Sequence, residues 1–181
     1  MNPIIKVDKS WTLFLDRDGV INERIFGGYI LDWKDFKFTE NALEAFKTFS
    51  NVFGRIVVVT NQQCIAKGLI SEQELGEIHQ NMKQEIEKFG GRIDAVFAAK
   101  EIKNEPPFHR KPNPAMAYMA KEQFPEIEFS KSMMVGDTDT DILFGKNLGM
   151  KTALVVSKEQ TSVEPDMVLN NLWELTNFIQ Y

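Results

Sequence analysis

Short apolar runs recur along the chain at Trp11–Leu15, Arg55–Val59, Ile93–Phe97, Ser132–Val135 and Thr152–Val156, with a further one at Asp166–Leu169. β-branched residues are frequent in several of them and polar alternation is weak. That is the pattern of strands covered on both faces. Between the runs the apolar spacing becomes helical. Glu40–Phe49 repeats at Leu43, Phe46 and Phe49, and Ser71–Phe89 at Leu75, Ile78, Met82, Ile86 and Phe89. The second of these opens with Ser71 and Glu74 at capping-box spacing and stops at Gly90-Gly91. Asn113–Phe124 has Pro114 in its first turn, Asp139–Leu148 ends at Gly149, and Leu172–Ile179 predicts a last helix. Strands alternating with helices require parallel pairing and right-handed crossovers. The expected fold is therefore α/β, a three-layer, doubly wound (Rossmann-like) parallel sheet. Ligands in such sheets sit beyond the carboxyl ends of the strands, and Asp16, Thr60 and Asp137 each stand just past a predicted strand end.

One long stretch, Gly19–Phe38, fits neither period. It carries Phe26, Tyr29, Trp33, Phe36 and Phe38 around Gly27-Gly28, and predicts a small hairpin or flap over the strand ends. Its aromatics read equally as core packing. Lys100–Lys111, with Pro106 and Pro107 inside it and Pro112 after it, is expected to be a proline-shaped loop. No repeat interrupts the chain, and its 181 residues suit a single domain over 1–181, with the flap at about 19–38.

Composition narrows the function. The net charge of -5 opposes general binding to nucleic acid, although a local basic pocket can still hold one phosphate. A single cysteine, Cys64, excludes an internal disulfide and a cysteine-based zinc site. The opening residues are broken by Pro3, Lys6, Asp8 and Lys9 and lack the apolar run of a signal peptide, and no stretch has the length to span a membrane. A cytoplasmic protein, monomeric and away from membranes, is the expectation.

The chemistry gathers at four places. Asp16-Arg17-Asp18-Gly19 follows the first strand, with two carboxylates spaced to share one metal ion or to divide the roles of nucleophile and acid–base. Alone it reads equally as an acidic turn. A calcium loop would need glycine at its sixth position, whereas here it is fourth. Thr60-Asn61 offers a hydroxyl and a free amide for phosphate oxygens, though such pairs are common strand exits. Arg110 and Lys111 precede a helix start, where an anion rather than a cation complements the dipole; a bound phosphate would account for them, as would a solvated basic run. His109 reads as a surface or supporting residue. Asp137 stands at the fourth strand exit near Asp16 and Asp18, and three crowded carboxylates need a cation, for which magnesium fits best. Asp139 needs no role beyond complementing the helix dipole. Asp141, four positions after Asp137, is placed to orient Lys111 or a metal-bound water.

Four motifs in this order, each near a strand end, resemble the haloacid dehalogenase superfamily over nearly the whole chain from about Trp11 onward. The resemblance implies a phosphatase in which Asp16 is the nucleophile, Asp18 the general acid and base, Thr60 and Lys111 phosphate ligands, and Asp16, Asp18, Asp137 and Asp141 the surroundings of Mg2+. Asp16-Arg17-Asp18-Gly19-Val20-Ile21-Asn22, Gly28-Tyr29, Thr60-Asn61-Gln62 and Arg110-Lys111-Pro112 look like the branch of the D-glycero-D-manno-heptose 1,7-bisphosphate phosphatases and the histidinol-phosphate phosphatases. These are compact enzymes without a large cap, and the short spacing between strands here agrees. Members of that branch usually carry a zinc loop of three cysteines and a histidine before Arg-Lys-Pro. Residues 98–109 contain no cysteine, so no structural zinc is expected.

The resemblance implies hydrolysis of a small phosphorylated metabolite, either a heptose bisphosphate or histidinol phosphate, through an aspartyl-phosphate. Asn61 and Arg110 are further candidates for substrate contact. Asp18 would have to hold a proton at neutral pH, and the neighbouring acids are expected to raise its pKa. Two other classes fit less well. A receiver-like phospho-accepting domain places adjacent acids after its first strand and the accepted phosphate on a middle strand. A phosphatase of nucleic-acid ends would call for basic patches interleaved with aromatics.

Overall fold

The computed structural model describes residues 2–181; Met1, the first residue of the expected domain, lies outside the described residues. Six strands form one parallel sheet: β2 (Thr12–Leu15), β3 (Arg55–Asn61), β4 (Ala95–Ala99), β5 (Ser132–Gly136), β6 (Lys151–Val155) and β7 (Met167–Leu169). Their spatial order is β4-β3-β2-β5-β6-β7. The chain winds outward from β2 through β3 to β4, then returns to pair β5 with the free side of β2 and winds the other way. The direction changes between β2 and β5, where Leu15 lies in register with Val135. A crevice opens beyond the strand ends at such a reversal.

Consecutive strand residues face opposite sides, so each side of the sheet acquires its own core. Leu13, Leu15, Ile56, Val58, Met133 and Val135 meet α1 (Ala42–Val52) and α2 (Glu72–Lys88). Phe14, Val57, Val59 and Met134 meet α3 (Ala115–Gln123) and Phe144 of α4 (Asp139–Asn147). The Phe14 and Phe144 rings pack edge to face at 6.5 Å. Burial of side chains of this size contributes about 1.5–3 kcal/mol each. The capping box at the start of α2 forms as expected, with the Ser71 hydroxyl accepting from the Glu74 amide and the Glu74 carboxylate accepting from the Ser71 amide.

Several expectations shift. The third strand begins two residues later than its apolar run, at Ala95, because Ile93 packs into the core ahead of the ladder. The expected helix at Leu172–Ile179 is instead a 3-10 helix, Leu172–Asn177, followed by a two-residue strand, β8 (Ile179–Gln180). The three-residue spacing of buried Leu172 and Leu175 suits a 3-10 turn. Ile179 pairs in parallel with Ile5 of β1 (Ile5–Lys6), a strand that no local pattern announced.

Gly19–Phe38 contributes to both the core and the crevice. Val20, Ile21, Ile30 and Phe36 are buried in the core, while Asn22 bridges Phe38 in antiparallel fashion. Trp33, Phe36 and Phe38 pack on one another. The core-packing alternative therefore holds for these three aromatics, and Arg24, Ile25, Gly28, Tyr29 and Ile30 line the cavity at the strand ends. No helix among the described residues is long and apolar enough to cross a membrane.

Candidate active site

Asp16 is the first residue after β2, and its amide donates to the Val135 carbonyl at 2.9 Å. Asp137 is the first residue after the neighbouring β5, so the topology alone brings two acids side by side. Asp141 reaches them from the first turn of α4. Its Oδ2 accepts from the Asp137 and Thr138 amides and from the Thr138 hydroxyl, at 3.2, 3.0 and 2.7 Å. One oxygen from each of Asp16, Asp137 and Asp141 lies within 4.8 Å of the others. Two glycines make room for this cluster. At Gly19, with φ +91°, a Cβ would fall on the Asp137 carboxylate, and at Gly136 it would fall on the Asp141 side chain.

Lys111 supplies the balancing charge. Its Nζ is buried, donates to the Val59 carbonyl at 2.7 Å, and lies 2.8 Å from Asp16 Oδ1 and 2.7 Å from Asp141 Oδ1. Burial alone would lower its pKa, but the charges of Asp141 and Asp16 outweigh that and raise it. Asn61 holds the backbone on either side: its Oδ1 accepts from the Lys111 amide at 3.0 Å and its Nδ2 donates to the Lys111 carbonyl at 3.3 Å. The structure thus gives Asn61 a positioning contact while leaving it at the cavity wall.

A second cation comes from the flap. Arg24 Nη1 donates to both oxygens of Asp137, at 3.2 and 3.0 Å, while its Nη2 lies 3.4 Å from Glu159. Nothing local in the sequence marked Arg24, because its main partner is 113 positions away. Even with both cations present, burial dominates and repulsion among the acids adds to it. Asp16 is pushed up to about 7, its burial opposed by Lys111 and reinforced by Asp141 and Asp137. Asp137 is pushed up to about 6 by burial and by Asp141. Asp141 Oδ1 is buried and, although close to Lys111, is not aligned for a hydrogen bond with it. Three convergent carboxylates that share one lysine and one arginine, with one oxygen lacking a hydrogen bond, form an all-oxygen donor set that fits a hard divalent cation.

Asp18 departs from expectation. Its carboxylate points away from the acid cluster, to Arg17 Nε and Nη2 at 3.2 and 2.9 Å, Asn22 Nδ2 at 2.9 Å and Gln62 Nε2 at 2.8 Å. Burial pushes its pKa up, but the Arg17 charge and these hydrogen bonds win, so it lies below the usual carboxylate range. The expected rise through crowding does not occur because the neighbours Asp18 meets are donors rather than acids.

Thr60 is buried on β3 at the cavity wall, and its hydroxyl accepts from Gln62 Nε2 at 2.9 Å. The cavity, about 590 Å³, is metabolite-sized and is lined by Asp16, Asp18, Arg24, Thr60, Arg110, Lys111 and Asp141, among others. Lys103, Asn104, Glu105 and Phe108 bring the 100–111 loop to its rim. That loop is tied by buried Glu101, whose carboxylate accepts from the Arg110 amide at 2.7 Å. His109 is half-buried and does not line the cavity, in keeping with a supporting place.

An open, doubly wound sheet with a carboxylate at its first strand end, a buried lysine and a convergent acid cluster defines a class shared with known proteins. A family described as HAD-hydrolase-like matches residues 108–175. The D-glycero-alpha-D-manno-heptose-1,7-bisphosphate 7-phosphatase of Mycobacterium bovis is 30% identical over 169 residues, covering 91% of this chain and 89% of that protein. The D-glycero-D-manno-heptose-1,7-bisphosphate 7-phosphatase of Chlorobaculum tepidum is 30% identical over 192 residues, covering 96% of each. Among solved structures, the D,D-heptose 1,7-bisphosphate phosphatase of B. bronchiseptica, complexed with magnesium and phosphate, superposes with a TM-score of 0.83 at 23% identity, over 92% of this chain and 96% of that one. At that identity the likeness speaks for the fold. The chain belongs to the HAD-like hydrolases, in the family of the heptose-1,7-bisphosphate 7-phosphatases, and is a phosphoric monoester hydrolase.

Proposed function

We propose that the chain hydrolyses a small sugar bisphosphate such as D-glycero-D-manno-heptose 1,7-bisphosphate, with Mg2+, through a phosphorylated Asp16, and that residues 1–181 act as one domain with a flap at about 19–38. The observation that carries this reading is the place of Asp16. It is a cavity-facing carboxylate held against a buried ammonium, beside two further acids. The names of the relatives favour the heptose over histidinol phosphate.

Asp16, Asp137 and Asp141 would hold Mg2+, with Asp18 contributing through its backbone carbonyl since its side chain turns elsewhere. When bound, the ion would neutralise the acids and the negative charge of the phosphoryl oxygens. Asp16 then attacks phosphorus in line, and the bond to the leaving oxygen breaks as the Asp16–phosphorus bond forms. Lys111 and the Thr60 region hold the phosphoryl oxygens, so catalysis rests on positioning and charge rather than on covalent assistance elsewhere. Asp18 gives its proton to the leaving alkoxide. Entry of a phosphate dianion beside it supplies the like charge that counters Arg17 and favours the protonated form. In the second step Asp18, again a carboxylate, takes a proton from the water that attacks phospho-Asp16. Arg110 and Lys103 at the rim suit the second phosphate of a bisphosphate. Neither an extended basic face nor a membrane is needed for such a substrate, and the working unit is a monomer in the cytoplasm.

The test is phosphate release from a panel of heptose 1,7-bisphosphate, histidinol phosphate, other sugar phosphates, nucleotides and a 3′-phosphorylated oligonucleotide, with Mg2+ and with EDTA. Magnesium-dependent release, fastest from the heptose bisphosphate and abolished in Asp16→Asn, is the expected result. An active Asp16→Asn protein, with deamidation excluded by mass spectrometry, would sink the covalent scheme, and faster release from histidinol phosphate would reassign the substrate.

A further inference from the structure

Arg17 is fully buried between two aspartates of the site, yet its guanidinium turns away from the acid cluster. One edge grips Asp18, with Nε and Nη2 reaching its carboxylate at 2.9–3.2 Å. The remaining nitrogen, Nη1, lies 3.0 Å from Nε2 of His79, a residue of α2 that is 62 positions away. Arginine has only donors, so His79 Nε2 must be the acceptor and the ring proton belongs on Nδ1. Burial and then the Arg17 charge push the imidazole down to about 3, which keeps it neutral and able to accept. Among the described residues, α2 contributes nothing to the cavity lining, and neither His79 nor Arg17 is used by the reaction described above.

We propose that His79 and Arg17 are positioning residues that act in series, helix α2 fixing the guanidinium and the guanidinium fixing the aim of the Asp18 carboxylate at the leaving-group oxygen. Asn22 and Gln62 grip the same carboxylate from its other sides, at 2.9 and 2.8 Å, but both stand close to it in sequence or on the adjoining strand end. His79 is the tie to a separate element. Without it a buried Arg17 N–H loses its acceptor and the Arg17–Asp18 pair loses its anchor to α2, so the carboxylate is held less tightly in its aim by Asn22 and Gln62 alone. This inference rests on the proposed phosphatase reaction with Asp18 as acid. In that step the phosphorus–oxygen bond to the leaving group breaks, Asp16 gains the phosphoryl group, and the proton of Asp18 passes to the departing oxygen.

The dependence on leaving group separates this role from a structural one. A sugar alkoxide needs the proton, whereas p-nitrophenolate leaves without it. The Mg2+-loaded wild type, His79→Ala and His79→Gln would be compared by kcat/KM, which reports the step that releases the leaving group, on the best sugar phosphate and on p-nitrophenyl phosphate. His79→Ala should lose about tenfold or more on the sugar phosphate, part of the roughly 10²–10⁴ that a positioned acid supplies, and less than about twofold on the nitrophenyl ester. His79→Gln, whose amide oxygen can accept from Arg17, should recover most of the loss. Should His79→Ala fold poorly by circular dichroism, Arg17→Lys serves in its place. It keeps a cation for Asp18 but cannot bridge to His79, and it should show the same selective loss. Equal losses on both substrates, or none on either, would overturn the proposal. A wild type inactive on both would overturn the phosphatase reading itself, and this inference with it.

Discussion

Lys111 carries its charge into a buried place, where Asp16, Asp141 and the Val59 carbonyl are the close partners of its ammonium among the described residues. Breaking a buried ion pair from one side leaves the other charge uncompensated and costs about 3–5 kcal/mol. Lys111→Met should therefore lower the melting temperature of the metal-free protein markedly, and less so with Mg2+ present, since the cation takes over part of the compensation. Phosphate release should fall by about 10²–10³, the usual loss on removing one donor aimed at developing charge. Calorimetric melts with and without Mg2+, alongside the assay, check both. Unchanged stability without metal would show that the acids do not depend on this ammonium. The lysine was legible in the sequence as a charge misplaced at a helix start. Arg24, which holds Asp137, was not, because it sits in an irregular stretch and its partner is distant in the chain.

At the scale of elements, the site depends on how tightly the loop after β2 passes the end of β5. Gly19 turns there at φ +91°, and a side chain at that position would meet the Asp137 carboxylate. Gly19→Ala thus combines an unfavourable backbone with a displaced acid. Isothermal titration should show Mg2+ binding weakened about tenfold or more, the consequence of moving one proposed ligand of a site with strict geometry. Binding equal to wild type would mean that Asp137 is not a ligand. The glycine was visible as part of Asp-x-Asp-Gly, but its reason lies in a neighbouring strand. The aromatics of Gly19–Phe38 were open to two readings on similar grounds. They carry no period that separates lying over a crevice from lying in a core, and Phe36 proved to belong to the core.

For the whole molecule, the raised acids make stability depend on pH in an unusual direction. Asp16 and Asp137 hold their protons to about 7 and about 6 in the folded, metal-free protein, whereas the unfolded chain releases them near the ordinary 3.8. Between these limits the folded state binds more protons than the unfolded one, so stability falls as pH rises from about 4 to about 7. Asp18, lowered in the fold, contributes with the opposite sign, but below that window. Urea unfolding in EDTA across pH 4–8 should show the decline, and Mg2+ should remove it if it binds the deprotonated acids as proposed. A metal-free stability that climbs through this range would contradict the burial of these charges.

The alternation of apolar runs and helical periods settled the parallel sheet, the two-sided burial of its strands and the placing of Asp16, Thr60 and Asp137 near strand ends, because these follow from local periodicity and from the handedness of crossovers. It did not reveal β1 and β8, two-residue strands whose pairing lies between distant parts of the chain and leaves no periodic trace. Nor did it settle the company each charged group keeps. Asp18 and Asp141 were both read as acids of one site, but the fold gives the first a ring of donors and the second a lysine and an oxygen without a hydrogen bond. A side chain's residue type and spacing define what chemistry it can perform. Its pKa and direction depend on neighbours that only the packing of distant segments brings within a few ångströms, where Coulomb and hydrogen-bond energies become large.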